Sequence, residues 1–274
     1  MTRGFTAVLV AATALALAFL LLPVVAIFLR VSPGHLFAQL DNPVARDALL
    51  VSLKTNVVAE ALILLVGTPA AYFLANNRFR GRALVITAIE LPLVLPPAVA
   101  GIALLATFGR FQLLGGTLHW LGIDIGFTQA AVVLAILFVA SPFYLRQAIS
   151  AFEAVDRPLL DAARTLGARP HRVFFRVALP LALGGLGAGA ALAFARALGE
   201  FGATIMFAGS LRGVTQTLPL AIYAEFDLNF DVALAMGALL VIVSGTILLA
   251  VKLLPRWMRS GSTSSLPFAP SISS

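Results

Sequence analysis

Residues 153–180 read EAVDRPLLDAARTLGARPHRVFFRVALP, a charged stretch set between two long apolar runs. Asp156 suits an N-cap, Pro158 is tolerated in a first helical turn, and Gly167 suits the left-handed residue that follows a helix end. These signals predict a helix over residues 157–166, about 15 Å long at 1.5 Å per residue. Leu159, Ala162, Ala163 and Leu166 share one apolar stripe, while Arg157, Asp161 and Arg164 fall on the other side. Pro170 opens a second helix, which carries Arg172 and Arg176 and runs on into the next apolar segment. A short two-faced helix with small alanines fits the groove of a partner protein. It equally fits the headgroup layer of a membrane, and periodicity does not separate the two.

The surroundings of that stretch are oily. Of 274 residues, 60% are apolar and 11% charged, against roughly a quarter charged in an average soluble domain. A mean hydropathy of +1.00 is more than a water-soluble core of this size can hide. An ordinary soluble enzyme is excluded, and the expected fold class is an all-α integral membrane protein. A bilayer crossing takes about 20 apolar residues. Six segments qualify, at 5–29, 57–75, 83–109, 125–145, 177–206 and 232–251, within a transmembrane domain of 1–259. The first is too long for the 7–15-residue apolar core of a signal peptide and is read as an uncleaved span. Residues 31–56 are expected to form a loop with an interfacial helix leading into the second span, 151–180 a loop, and 260–274 a disordered tail.

Of 19 Lys and Arg residues, 13 fall on the side of the 151–180 loop and both termini, 5 on the other side, and Arg196 within a span. The positive-inside rule places the loop and both termini in the cytoplasm. The net charge of +7 is therefore an orientation signal, and no nucleic-acid partner is expected. With no cysteine and histidines scattered at 35, 119 and 171, there is no metal-ligand cluster. Nor is there a nucleophile–base pair, a cofactor fingerprint or a glycine-rich phosphate loop. No catalytic residue, metal or cofactor is assigned, and energy must come from a partner or an ion gradient.

The stretch DAARTLGARPHRVFFRVALP at 161–180 resembles the loop signature of ATP-binding-cassette (ABC) importer permeases. An acidic-Ala-Ala triplet (Asp161, Ala162, Ala163) is followed at the family's spacing by Gly167, Val177, Leu179 and Pro180. Two positions depart: Asp161 stands where glutamate is usual and Val177 where isoleucine is common. The segments ELPLVLPPAVAGIALLATFGR (90–110), ARALGEFGATIMFAGS (195–210) and TQTLPLAIY (215–223) are similar to the molybdate branch of the molybdate and sulfate permeases. The resemblance runs from about residue 49 to 247. It implies a type I importer permease whose loop is the coupling helix, docking on an ATPase subunit through Asp161, Ala162, Ala163, Leu166, Gly167, Leu179 and Pro180. It also implies that the chain sits in the inner membrane of a bacterium with a second permease copy as a homodimer, two ATPase subunits carrying ATP and Mg, and an extracytoplasmic oxyanion-binding protein. The implied cargo is molybdate or tungstate, with sulfate or thiosulfate as the near alternative.

Several intramembrane residues stand out on their own chemistry. Pro92, Pro96 and Pro97 must kink or break the third span, either as a packing kink or to line a pathway. Gly185 and Gly189 form a small-residue face suited to helix packing. Arg196 and Glu200 lie four residues apart and can neutralise each other. Three readings of that pair stay open: a structural salt bridge, a gate of the oxyanion pathway, or a proton relay. Gly199 and Gly202 could let the helix unwind there and expose N–H groups near Thr204 to a tetrahedral oxyanion. Glu60 and Glu90 are read as buried acids, held by polar contacts at a dimer interface or coupled to protons in a gradient-driven carrier. A membrane scaffold that merely anchors a partner is the remaining alternative.

Overall fold

A computed structural model describes residues 3–30, 34, 38, 39 and 41–260. In chain order the helices are α1 (Arg3–Arg30), α2 (Pro43–Asn76), α3 (Arg82–Val94), α4 (Pro97–Phe108), α5 (Gly115–Trp120), α6 (Gln129–Glu153), α7 (Arg157–Thr165), α8 (Pro170–Val173), α9 (Leu179–Leu198), α10 (Gly202–Ala208), α11 (Leu218–Glu225) and α12 (Phe230–Ser260). A π-helical turn at Phe174–Ala178 joins α8 to α9, and no strand occurs among the described residues. Five spans are long and apolar enough to cross a membrane, counting Pro170–Leu198 as one, and the bent pair α3–α4 supplies a sixth. The fold is an all-α membrane bundle.

α6 is its axis, packed on by α2, α3, α4, α9 and α10. Thr128 caps its start, and Ala131, Ala135, Ala140 and Ala148 bury a face small enough for neighbours to approach closely. Gly185 of α9 lies against Ala151 and Gly189 against Gln147 and Tyr144, so the small-residue face packs onto this axis. α1 is different: none of its apolar window is buried, and it leans on α12 at the edge of the bundle.

The helix ends differ from the sequence reading in instructive ways. The second span begins at Pro43, because Asn42 accepts a hydrogen bond from the Val44 N–H (2.9 Å) and Pro43 sits in the first turn, so 43–56 is helix and not loop. The third span is two helices meeting at 114°. Leu95 and Pro96 are extended there, as residues preceding a proline tend to be, whereas Pro92 is accommodated inside α3. The fifth span stops at Leu198 and restarts at Gly202. Near its beginning Pro180 has no N–H for the Arg176 carbonyl, and the preceding turn widens so that the Leu179 N–H donates to the Phe174 carbonyl. The tail expected to be disordered falls, from residue 261 on, outside the described residues, as does His35.

The two interrupted spans meet at their breaks, where α4 packs on α10. A Cβ on Gly101 would lie 2.6 Å from the Ala203 carbonyl oxygen, and one on Gly202 would lie 2.7 Å from Pro97 Cβ. Only glycine fits the first position, because the obstacle is backbone. Gly101→Ala is expected to destabilise the fold by about 1–3 kcal/mol through overpacking. Gly237→Ala, in α12 where a Cβ meets nothing within 4 Å, is expected to be neutral or to stabilise by up to about 1 kcal/mol. Thermal unfolding in detergent compares them, and equal midpoints would contradict the close α4–α10 approach.

Candidate functional site

Two regions carry the residues singled out by the sequence. The first is α7, which the chain mounts rigidly at one end of the bundle. Its C-terminus is a Schellman motif: the Gly167 N–H donates to the Arg164 carbonyl (2.9 Å) and the Ala168 N–H to the Ala163 carbonyl (3.0 Å). Gly167 sits at φ +80°, a conformation strained for any residue with a side chain. Below α7, the rings of Tyr72, Phe152 and Phe174 gather α2, α6 and the π turn into one cluster, with centroids 4.8–6.2 Å apart.

The apolar stripe of the helix divides. Leu160, 3% exposed, and half-buried Ala163 hold α7 to the core, while Leu159, Ala162 and Leu166 face outward, Leu166 at 88% exposure. The sequence reading missed Leu160; its signal was the Leu159–Leu160 pair, of which only Leu160 stands three residues before Ala163. Asp161 pairs with Arg164 at 2.9 Å on the exposed side. Leu179 and Pro180 are not on this outward surface. They lie past the π turn, at the root of α9, and shape how the loop feeds the span.

The second region is the break between α9 and α10. Glu200, whose side chain is 1% exposed, approaches Arg196 Nη2 with Oε2 at 2.7 Å, and its Oε1 accepts a hydrogen bond from the Ala203 N–H at 2.7 Å. The carboxylate thus neutralises the last basic residue of α9 and caps the start of α10. Arg196 is the more exposed partner, at 26%. The interrupted backbone is less open than the sequence suggested: the Ala203 N–H is taken by Glu200 and that of Ile205 by the Phe201 carbonyl (2.9 Å). The Thr204 hydroxyl, fully buried, has no hydrogen-bond partner among the described residues. Pro97 and Gly202 touch across the α4–α10 contact, Pro96 is the N-cap of α4, and Gly199 stands in open space.

A third group was not read from the sequence. Ser52 Oγ accepts a hydrogen bond from the Leu218 N–H (2.7 Å), and Asn56 Nδ2 donates to the Ser52 carbonyl (2.7 Å), which ties α2 to the start of α11. Asn56 Oδ1, Gln216 Oε1 and the Thr217 hydroxyl are buried nearby without partners among the described residues. The signal was present in the 52–55–56 spacing of polar residues, obscured because that stretch was taken for loop. Both carboxylate oxygens of Glu60 are likewise buried and unpartnered. Glu90, by contrast, is not a buried acid: it lies 3.6 Å from Arg146 with both side chains in part exposed. The described residues contain no cluster of three or more potential metal ligands.

Comparisons with known proteins identify the family. Residues 63–260 match the family described as the binding-protein-dependent transport system inner membrane component. The chain is 46% identical over 233 residues to the molybdenum transport system permease protein ModB of Mycobacterium tuberculosis, covering 85% of this chain and 88% of that one. It is 45% identical over 178 residues to the protein of the same name from Escherichia coli K12, covering 65% and 78%. Among solved structures, a bacterial ABC transporter that imports alginate superposes with a TM-score of 0.70 at 16% identity over 93% of this chain and 95% of that chain. The inward-facing MetNI methionine ABC transporter gives 0.58 at 22% identity over 76% and 93%. These structures share the fold of ABC importer permeases, and the sequence match over most of the chain shows that it belongs to the binding-protein-dependent transport system inner membrane components.

Proposed function

We propose that this chain is the permease subunit of an ATP-driven importer that carries molybdate across the cytoplasmic membrane. The observation that carries the mechanism is α7, an outward apolar face with Leu166 88% exposed, on a rigid mount. In water such a face is covered by a partner, and the absence of a phosphate loop from the sequence assigns ATP hydrolysis to that partner. Two ATPase subunits beneath a permease homodimer, and a binding protein on the opposite face, complete the machine. The cargo rests on the similarity to molybdenum permeases, and the charge asymmetry supports a cytoplasmic position for both termini and α7.

In this mechanism closure of the ATPase pair moves α7, and the Tyr72–Phe152–Phe174 cluster passes that movement to α2, α6 and the root of α9 without slack. At the far end of α9 sit the Arg196–Glu200 pair and the α4–α10 contact, the place where both spans are discontinuous. Arg196 offers a tetrahedral oxyanion one partly exposed cation, and Glu200 tempers its charge so that release stays fast. The buried hydroxyl of Thr204, in α10 just past the break, supplies a neutral donor to the same region.

Three measurements test this reading. Sealed vesicles holding this chain, its ATPase and its binding protein are expected to take up labelled molybdate only with internal ATP, and to keep doing so in excess sulfate. Uptake without ATP would point to a gradient-driven carrier, and abolition by sulfate would change the cargo. Gly167→Val, which forces a branched side chain to positive φ at a cost of about 1–2 kcal/mol, is expected to lower substrate-stimulated ATP hydrolysis several-fold while membrane insertion stays normal; wild-type coupling would count against docking through α7. The double variant Arg196→Gln/Glu200→Gln removes both charges but keeps polar atoms in place. It is expected to cut the uptake rate at least tenfold at an unchanged unfolding midpoint, and normal uptake would leave the pair with a packing role alone.

A further inference from the structure

A cavity of about 520 Å³ opens at the α7 end of the bundle, between the end of α2, the turn into α3 and the end of α6. Its lining includes Arg78, Arg82 and Arg157 against the single carboxylate of Glu153, so three positive charges meet one negative and two are left over. Arg82 is already committed: its Nε donates to the Leu74 carbonyl (2.8 Å) and its guanidinium pairs with Glu153. That arrangement fixes one wall of the cavity. Arg78 and Arg157 are exposed and enter no ion pair among the described residues. Two uncommitted guanidinium groups converging on a concave polar space are suited to an oxyanion, which they can grip with paired N–H donors.

The position selects the source of that oxyanion. α2 and α6 both end at the cavity, so it lies where the hydrocarbon of a bilayer gives way to headgroups, whichever side of the membrane this end faces. Flanking the lining residues 75–78 in the chain, Phe73 and Phe79 pack with tilted rings 5.9 Å apart and stay exposed, at 55% and 40%. A basic hollow next to an outward apolar shelf is complementary to one molecule that carries a phosphate and acyl chains together. Basic pockets between spans at a membrane surface hold anionic headgroups on the same principle.

The geometry points to a phospholipid site: the cavity receives the phosphate of an anionic phospholipid on Arg78 and Arg157, with an acyl chain along Phe73 and Phe79. This goes beyond the transport reading and does not depend on the cargo. A bound lipid there would bridge α2, α3 and the first residue of α7, the elements that mount the docking helix.

Native mass spectrometry on the full-length chain, purified with its co-eluting subunits, tests the assignment with phosphatidylglycerol and phosphatidylcholine as probes. The wild type is expected to retain phosphatidylglycerol and not phosphatidylcholine. Arg78→Gln/Arg157→Gln is expected to weaken retention about 30-fold, and each single variant about fivefold. Arg80→Gln, exposed but outside the cavity lining, is expected to match the wild type, and millimolar inorganic phosphate is expected not to displace the lipid. Equal retention in the single and double variants would overturn the site. Displacement by inorganic phosphate would reassign it to free oxyanions, and loss of subunit co-elution with retention unchanged would reassign it to a protein partner; either result overturns the lipid.

Discussion

A bilayer offers no hydrogen bonds to an interrupted helix, so each interruption must be satisfied from within the protein. That constraint organises the structure. Two of the spans are broken, and each break is met by chemistry from the same chain. At the first, prolines remove the N–H groups that would otherwise be stranded. At the second, one carboxylate both pairs with Arg196 and takes the Ala203 N–H. Glu200 is then a joint as well as a counter-ion, which is why a fully buried acid can persist in an apolar setting. A side chain at Gly101 would push the two breaks apart against the Ala203 carbonyl, so the backbone approach of α4 and α10 and the electrostatics of α9 are parts of one arrangement.

The same economy shapes the opposite end of the fifth span. Pro180 removes a donor, the preceding turn widens, and the extra width lets Phe174 lie against Tyr72 and Phe152. Leu160 then packs α7 into the same core cluster, beside α8 and the π turn. α7 combines an exposed surface with an attachment to the core, and the two are divided by residue: Leu160 and Ala163 turn inward, and Leu159, Ala162 and Leu166 turn out.

Much of this was legible in the sequence. The span count followed from apolar run length, the helix at 157–165 from Asp156, Pro158 and Gly167, and the break in the third span from its prolines. Which proline breaks the chain was not legible, because Pro92 and Pro96 look alike until neighbouring helices decide where a carbonyl can be left free. The extension of α2 back to Pro43 was hidden by the mixture of Pro, Asp, Asn and short apolar stretches over 31–56, and the partner of Ser52 in that stretch lies 166 positions away at Leu218. Glu90 misled in the opposite sense: its sequence neighbours are apolar, but its spatial neighbour is Arg146. Local periodicity reports what a segment can be, and only long-range contacts report which of its polar atoms are already satisfied.

The isolation of α1 has a consequence of its own. With no part of its apolar window buried in the chain, α1 is required by its own bundle to be oily and long, and little more. Its residues should therefore interchange freely among Leu, Val, Ala and Phe over evolutionary time, while α6 would tolerate almost no such drift. Where individual side chains of α1 resist exchange, the selective pressure must originate in another molecule.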